Sequence, residues 1–120
     1  MAKHRPVPPE NISAVEFFTR WVPEVVASDA ERRAKLAKTD ETIVFTFTES
    51  HQSFTVKIDH GIVRGEAGDA DDPDLRVELD HETWRGLNRG GLSAPEALLR
   101  RRVRIRGDFV LALKLHLLVG

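Results

Sequence analysis

Hydrophobic and polar positions follow two different periods along the chain. Val15, Phe18, Trp21 and Val22 recur at helical spacing, and Ser13 with Glu16 three residues on makes a capping box, so a helix starts near Ser13. Pro23 then either opens a second turn or kinks the first. The helix formers of "PEVVASDAERRAKLAKTD" continue from it, which predicts one kinked helix or two short ones.

After Thr39 the period falls to two. Ile43, Phe45 and Phe47 share one face of a strand, and Phe54, Val56 and Ile58 share a face of the next. The polar "ESHQ" between them has the length of a hairpin loop, so the two strands should be antiparallel. A turn at Gly61 leads into a third strand through Ile62 to Gly65. A fourth alternates Leu75, Val77 and Leu79 against Arg76, Glu78 and Asp80.

Helical spacing returns in "HETWRGLNRGG", with Trp84 and Leu87 inward and Gly90 or Gly91 at the C-terminal cap. Ser93, Pro95 and Glu96 repeat the helix-start signal. "RVRIR" is a last strand with Val103 and Ile105 inward, before Gly107 breaks it and Asp108 caps a closing helix. That helix has no polar stripe. At about 100° per residue, Lys114 and His116 fall far apart, and Phe109, Val110, Leu111, Leu113, Leu115, Leu117, Leu118 and Val119 fill the other directions. The order of helix, four strands, helices, strand and helix, with the helices segregated from a mainly antiparallel run of strands, is an α+β layout.

Composition narrows the function classes. The 120 residues fit one domain, residues 11–120, preceded by a Pro-rich polar stretch, 1–10, expected to be a flexible arm. Without cysteine there is no disulfide, thiolate catalysis or zinc–thiolate site, and a cytoplasmic location is expected. "MAKHRPVPPE" lacks the apolar run of a signal peptide, and the closing apolar stretch falls short of the roughly 20 residues that cross a bilayer. A net charge of −1 argues against a general nucleic-acid binder.

From about Val44 to Leu118 the chain resembles the sterol carrier protein 2 family of lipid-binding domains. The resemblance rests on "FTVKIDHGIVRGEAGDADDPDLRVELDHETWRGLNRG", then "GGLSAPEAL", then "RVRIRGDFVLALKL". In the last, Gly107, Asp108, Ala112, Lys114 and Leu115 match the family's Gly, polar residue and Ala/Lys/Leu helix. The sequence departs from the family at Arg101 and Arg102, where a Gly-Lys turn is common, and at Pro95, one place late. Arginine at a position needing positive φ would be strained. It also lacks a C-terminal peroxisome address.

The resemblance implies a mainly antiparallel five-stranded sheet with helices covering one side, enclosing an apolar tunnel for acyl chains, phospholipids, sterols or other hydrophobic molecules. Candidate lining residues are Phe54, Val56, Ile58, Val77, Trp84, Leu87, Leu92, Leu98, Leu99, Phe109, Val110, Leu113 and Leu117, several of them expected to be ordinary core. In "RRRVRIR", Arg100 and Arg101 are headgroup candidates, and an anionic membrane is a further candidate contact. Arg102, Arg104 and Arg106 share a strand face from which they could pair with Glu78 and Asp80.

Other features are assigned no chemistry. Asp69, Asp71, Asp72 and Asp74 lack the Gly and terminal Glu of a calcium loop and read as a solvated turn. Ser50 and His51, adjacent in a loop, do not make a nucleophile and base, and His60 and His81 receive no role. His116 reads as a rim or hydrogen-bonded core residue. No cofactor, metal site or catalytic residue is expected. Two functions remain: a stand-alone carrier of a hydrophobic small molecule acting without chemistry, or an accessory module that dimerises or docks on an enzyme. An isomerase or cyclase is a weaker third.

Overall fold

A computed structural model of the chain describes residues 7–118. The first helix is continuous through three stretches: α1 (Ala14–Glu16), a π-helical turn (Phe17–Trp21) and α2 (Val22–Ser28). Ser13 Oγ accepts from Glu16 N at 3.1 Å, the cap that the sequence predicts. The chain does not break at Pro23. In the wider π turn Val22 N donates to the Phe17 carbonyl, so the proline ring enters a ladder already displaced from the i−4 register it would otherwise clash with. After Asp29, which caps it, comes α3 (Ala30–Lys35).

Five strands follow: β1 (Asp40–Phe47), β2 (Ser53–Asp59), β3 (Ile62–Ala67), β4 (Leu75–Leu79) and β5 (Val103–Gly107). They form one sheet in the order β3-β2-β1-β4-β5. Three of its pairings are antiparallel, whereas β4 lies parallel to β1, with Phe45 opposite Val77. The chain therefore leaves the β3 edge and crosses the sheet before β4. The crossing loop is strapped over the open face. Thr55 Oγ1 donates to the Gly68 carbonyl and accepts from Ala70 N, and Arg76 pairs with Asp69. Val44, whose neighbours across the sheet are Thr55 and Arg76, is fully buried on that face.

On the other face the helices cover a core of Phe17, Phe18, Phe45, Phe47, Phe54 and Trp84, with Phe18 stacked on Phe54 at 5.1 Å. The π turn sits directly on β3, because Gly65 has no side chain there. A Cβ at Gly65 would lie 1.8 Å from the Phe18 carbonyl oxygen. Between β4 and β5 run α4 (His81–Arg89), capped by Asp80 and ended by left-handed Gly90, and α5 (Ala94–Leu99), capped by Ser93.

The closing segment differs from one continuous helix. It is a single turn, α6 (Phe109–Ala112), then a 3-10 turn over Leu115–Leu117. Val119 lies outside the described residues, as do 1–6 of the expected arm. The rest of that arm, 7–10, runs beside α4: Pro8 is buried, and the Glu10 carbonyl accepts from Arg85 at 2.9 Å.

Candidate functional site

Beneath α6 lies an apolar cavity between the sheet and the last three helices. Phe45, Val77, Leu79 and Val103 form its floor, one from β1, two from β4 and one from β5. Leu87 of α4, Ala94 and Leu98 of α5, and Ala112 and Leu115 of the closing segment make its walls. The strand residues meet there because β1 and β4 are parallel and in register, and β5 pairs Val103 with Leu79. Its volume is about 40 Å³. That is room for a water, and well below the roughly 300–1,000 Å³ of small-molecule pockets.

Every lining side chain is hydrocarbon. The cavity therefore offers no acid, base or nucleophile, and what it can do is remove an apolar group from water. Among the described residues, no group of three His, Asp or Glu side chains is placed to hold a metal ion. Asp69 is engaged with Arg76, and Asp74 Oδ2 accepts from Thr42 N at 2.7 Å.

Of the thirteen side chains expected to line a tunnel, Val77, Leu87 and Leu98 face this cavity. Phe54, Val56, Ile58, Trp84, Leu92 and Leu117 are packed in the core. Leu99, Phe109, Val110 and Leu113 stand outward, 85, 65, 68 and 64% exposed. The closing segment thus has two apolar sides of different fate. Leu111, Ala112, Leu115, Leu117 and Leu118 turn inward, and Phe109, Val110 and Leu113 face out. Phe45, Leu79, Ala94, Val103, Ala112 and Leu115 line the cavity without having been singled out. Phe45, Leu79 and Val103 share the face of Val77, a signal the alternation carried; that small Ala94 and Ala112 leave space has no signature in sequence.

Polar ties hold the closing segment down. Asp108 caps α6, accepting from Val110 N and Leu111 N, while its own N–H donates to the Asp74 carbonyl at 2.8 Å. The strand turns into this cap at Gly107, whose φ is +117° and where a Cβ would lie 2.3 Å from the Asp74 oxygen. Lys114 Nζ donates to Thr39 Oγ1 at 2.9 Å, and Arg32 to the Leu117 carbonyl at 2.6 Å. Burial, reinforced by a hydrogen bond to Asp108, pushes the Glu41 carboxyl up; the backbone amide of Leu111 and the bond to Glu41 hold Asp108 below its usual range. His116 is exposed, its Nδ1 at 2.9 Å from the Leu113 carbonyl.

The arginines separate. Arg100 pairs with Glu96 at 3.1 Å, and Arg102 Nε donates to buried Thr83 at 3.0 Å. Arg104 stands across from Glu78 in the sheet register, yet no ion pair forms there, and Arg106 stands across from Arg76. Arg101 occupies the left-handed region at φ 58°, so the turn keeps the glycine-like geometry with an arginine in it.

These features define an α+β domain built around an apolar pocket that its closing segment covers. The chain belongs to the SCP-2 sterol transfer family, whose profile matches residues 22–119, and so to a class of lipid-binding and lipid-transfer domains. No curated protein matches it. Among solved structures it is similar to the stereoselective inverting sec-alkylsulfatase Pisa1 of a Pseudomonas species (22% identity, TM-score 0.62). That match covers 73% of this chain but only 14% of the much longer enzyme. It is also similar to the ubiquinone synthesis protein UbiJ-SCP2 (15% identity, 82% of this chain and 85% of that one, TM-score 0.64). A third is the palmitated SCP2L2 of Aedes aegypti (19% identity, 78% and 89%, TM-score 0.58). At these identities the likeness is one of fold. No helix among the described residues is long and apolar enough to cross a membrane.

Proposed function

We propose that the chain binds a single-chain amphiphile of the fatty-acyl type in the cavity under α6 and releases it unchanged. The observation that carries this reading is a hydrocarbon-lined cavity roofed by a short, interrupted segment. At about 40 Å³ the space holds little of an acyl chain, so binding parts α5 and α6 and extends the cavity into a tunnel. The roof suits that movement: α6 is one turn, followed by a 3-10 turn, and its side-chain ties are few, at Asp108, Lys114 and the Leu117 carbonyl.

Burial supplies the affinity. At roughly 0.8 kcal/mol per methylene, ten methylenes contribute about 8 kcal/mol, near the micromolar range before the cost of opening. That a protein of the same fold is palmitated supports the ligand class. Leu87, Leu98, Ala112 and Leu115 are the contacts we assign to the chain, and Arg101, whose guanidinium has no ion pair or hydrogen bond among the described residues, is the headgroup contact. A cysteine-free chain fits a reducing, cytoplasmic setting.

Palmitate binding, followed by displacement of a fluorescent fatty acid and by native mass spectrometry, tests the reading. Wild type should bind one palmitate per chain, and Ala112→Phe, which fills the cavity, should weaken binding at least tenfold while remaining folded. Undiminished binding by a folded Ala112→Phe protein would place the ligand elsewhere.

A further inference from the structure

A second and larger cleft lies between α4 and the arm segment 7–10. Helix α4 turns Leu87 to the apolar cavity and Arg85, Asn88 and Arg89, at i, i+3 and i+4, to this cleft, and the two spaces share no lining residue. Its volume is about 420 Å³, some ten times that of the cavity and within the roughly 300–1,000 Å³ of small-molecule sites. One wall is hydrocarbon: Val7 and the rings of Pro8 and Pro9, residues of which the prolines have no N–H to offer. The other wall is polar. Arg85 ties the arm to α4, its guanidinium carbon 5.2 Å from the Trp84 ring centroid and its Nη1 donating to the Glu10 carbonyl at 2.9 Å. Asn88 brings a carboxamide into the lining from a residue only 7% exposed. Arg89 is exposed, and its guanidinium makes no hydrogen bond or ion pair with any described residue.

These walls select a ligand class. An acyl chain would strip water from two guanidinium groups without replacing it. A metal cation would meet two arginines against one acid, Glu10. What matches is a flat apolar body for the proline rings joined to an anionic head for Arg89, whose planar fork takes a carboxylate or phosphate with two parallel hydrogen bonds. We infer that the cleft between the arm and α4 is a second binding site, for a small aromatic acid. The site does not depend on the acyl cavity. Its arm wall lies outside residues 22–119, the part of the chain that the family profile matches.

Titration of the full chain with benzoate, phenyl phosphate, inorganic phosphate and benzyl alcohol, followed by backbone amide NMR shifts, tests this, with palmitate binding measured in parallel. Benzoate and phenyl phosphate should each bind once per chain and shift the amides of Glu10 and of Arg85 to Arg89. Inorganic phosphate has the head alone and benzyl alcohol the body alone, and each should bind at least tenfold more weakly. Arg89→Gln should weaken benzoate binding at least tenfold, and Arg89→Lys, which keeps the charge without the fork, by less. Arg20→Gln is the control: this exposed arginine of the first helix already pairs with Glu16, and its loss should leave benzoate binding unchanged. Palmitate binding should be the same in every variant and should not displace benzoate. A wild type that binds neither aromatic acid overturns the inference, whatever palmitate does. Undiminished benzoate binding by Arg89→Gln overturns it too, as does inorganic phosphate binding as tightly as the aromatic acids. Displacement of benzoate by palmitate would put both in one site and overturn it as well; failure to bind palmitate alone counts only against the acyl-cavity reading.

Discussion

The Arg32 guanidinium donates to the Leu117 carbonyl at 2.6 Å, joining α3 to the closing segment across 85 positions of sequence. Arg32 also pairs with Asp29, the α3 cap, at 3.3 Å, so one side chain fixes both the helix start and the roof over the cavity. A charged donor on a half-buried carbonyl contributes about 1–2 kcal/mol. Arg32→Ala should therefore lower unfolding stability by that amount in urea titration. It should also speed amide exchange in Leu115–Leu118 more than in β1. Unchanged exchange there would mean that apolar packing alone holds the roof.

Arg101 sits at φ 58°, where a side chain costs about 1 kcal/mol and glycine nothing. Glycine also gains freedom in the unfolded chain, which offsets part of the relief. Arg101→Gly should stabilise the fold by about 0.5 kcal/mol while weakening palmitate binding, because it removes the headgroup contact. Arg101→Ala should weaken palmitate binding equally without stabilising. Should Arg101→Gly destabilise the protein, the arginine side chain is holding the turn and is not available to a ligand.

Most elements were legible from the chain because each carried a local signal. The caps at Ser13, Ser93 and Asp108 are read from residue type and spacing, and all three accept backbone N–H groups as expected. The inward faces of β1, β2 and β4 follow from alternation. The placement of β4 beside β1 did not follow, since alternation records which face is apolar and not which strand is the neighbour. The closing segment misled for a related reason: an apolar periphery does not say which side has a partner. Inward Leu111 and outward Val110 are equally apolar, and only packing distinguishes them. The cavity walls depend on Ala94 and Ala112, whose contribution is space.

Gly65 sets how closely the first helix approaches the sheet. A methyl group there would lie 1.8 Å from the Phe18 carbonyl oxygen, which is backbone and cannot rotate away. Gly65→Ala should cost about 3 kcal/mol or more, by lifting the π turn and its Phe17 and Phe18 off the core. Gly91→Ala, with nothing within 4 Å of the added carbon, should stay within about 0.5 kcal/mol of wild type. Similar losses for both would show that helix and sheet are not in this contact.

Glu41 and Asp108 make the stability of the roof depend on pH, with opposite signs. Burial first, and the hydrogen bond to Asp108 second, raise the Glu41 pKa, so the folded state binds its proton more tightly than the unfolded chain does. Its contribution is present at low pH and is lost as pH rises through the folded value; at neutral pH a charged Glu41 disfavours the fold. Asp108 behaves oppositely. Held down chiefly by the Leu111 amide, it contributes above its unfolded pKa of about 3.9, and that contribution disappears as pH falls through the folded value. Glu41→Gln keeps the hydrogen bond and removes the charge. It should raise Tm at pH 7, with the advantage shrinking as pH falls through the folded value and gone below about pH 4, where Glu41 is protonated in both states. Asp108→Asn should lower Tm at pH 7 and converge with wild type in acid. Melting curves of the three proteins between pH 3 and 8 read both signs at once, and parallel curves for wild type and Glu41→Gln would show that the two carboxyls do not interact.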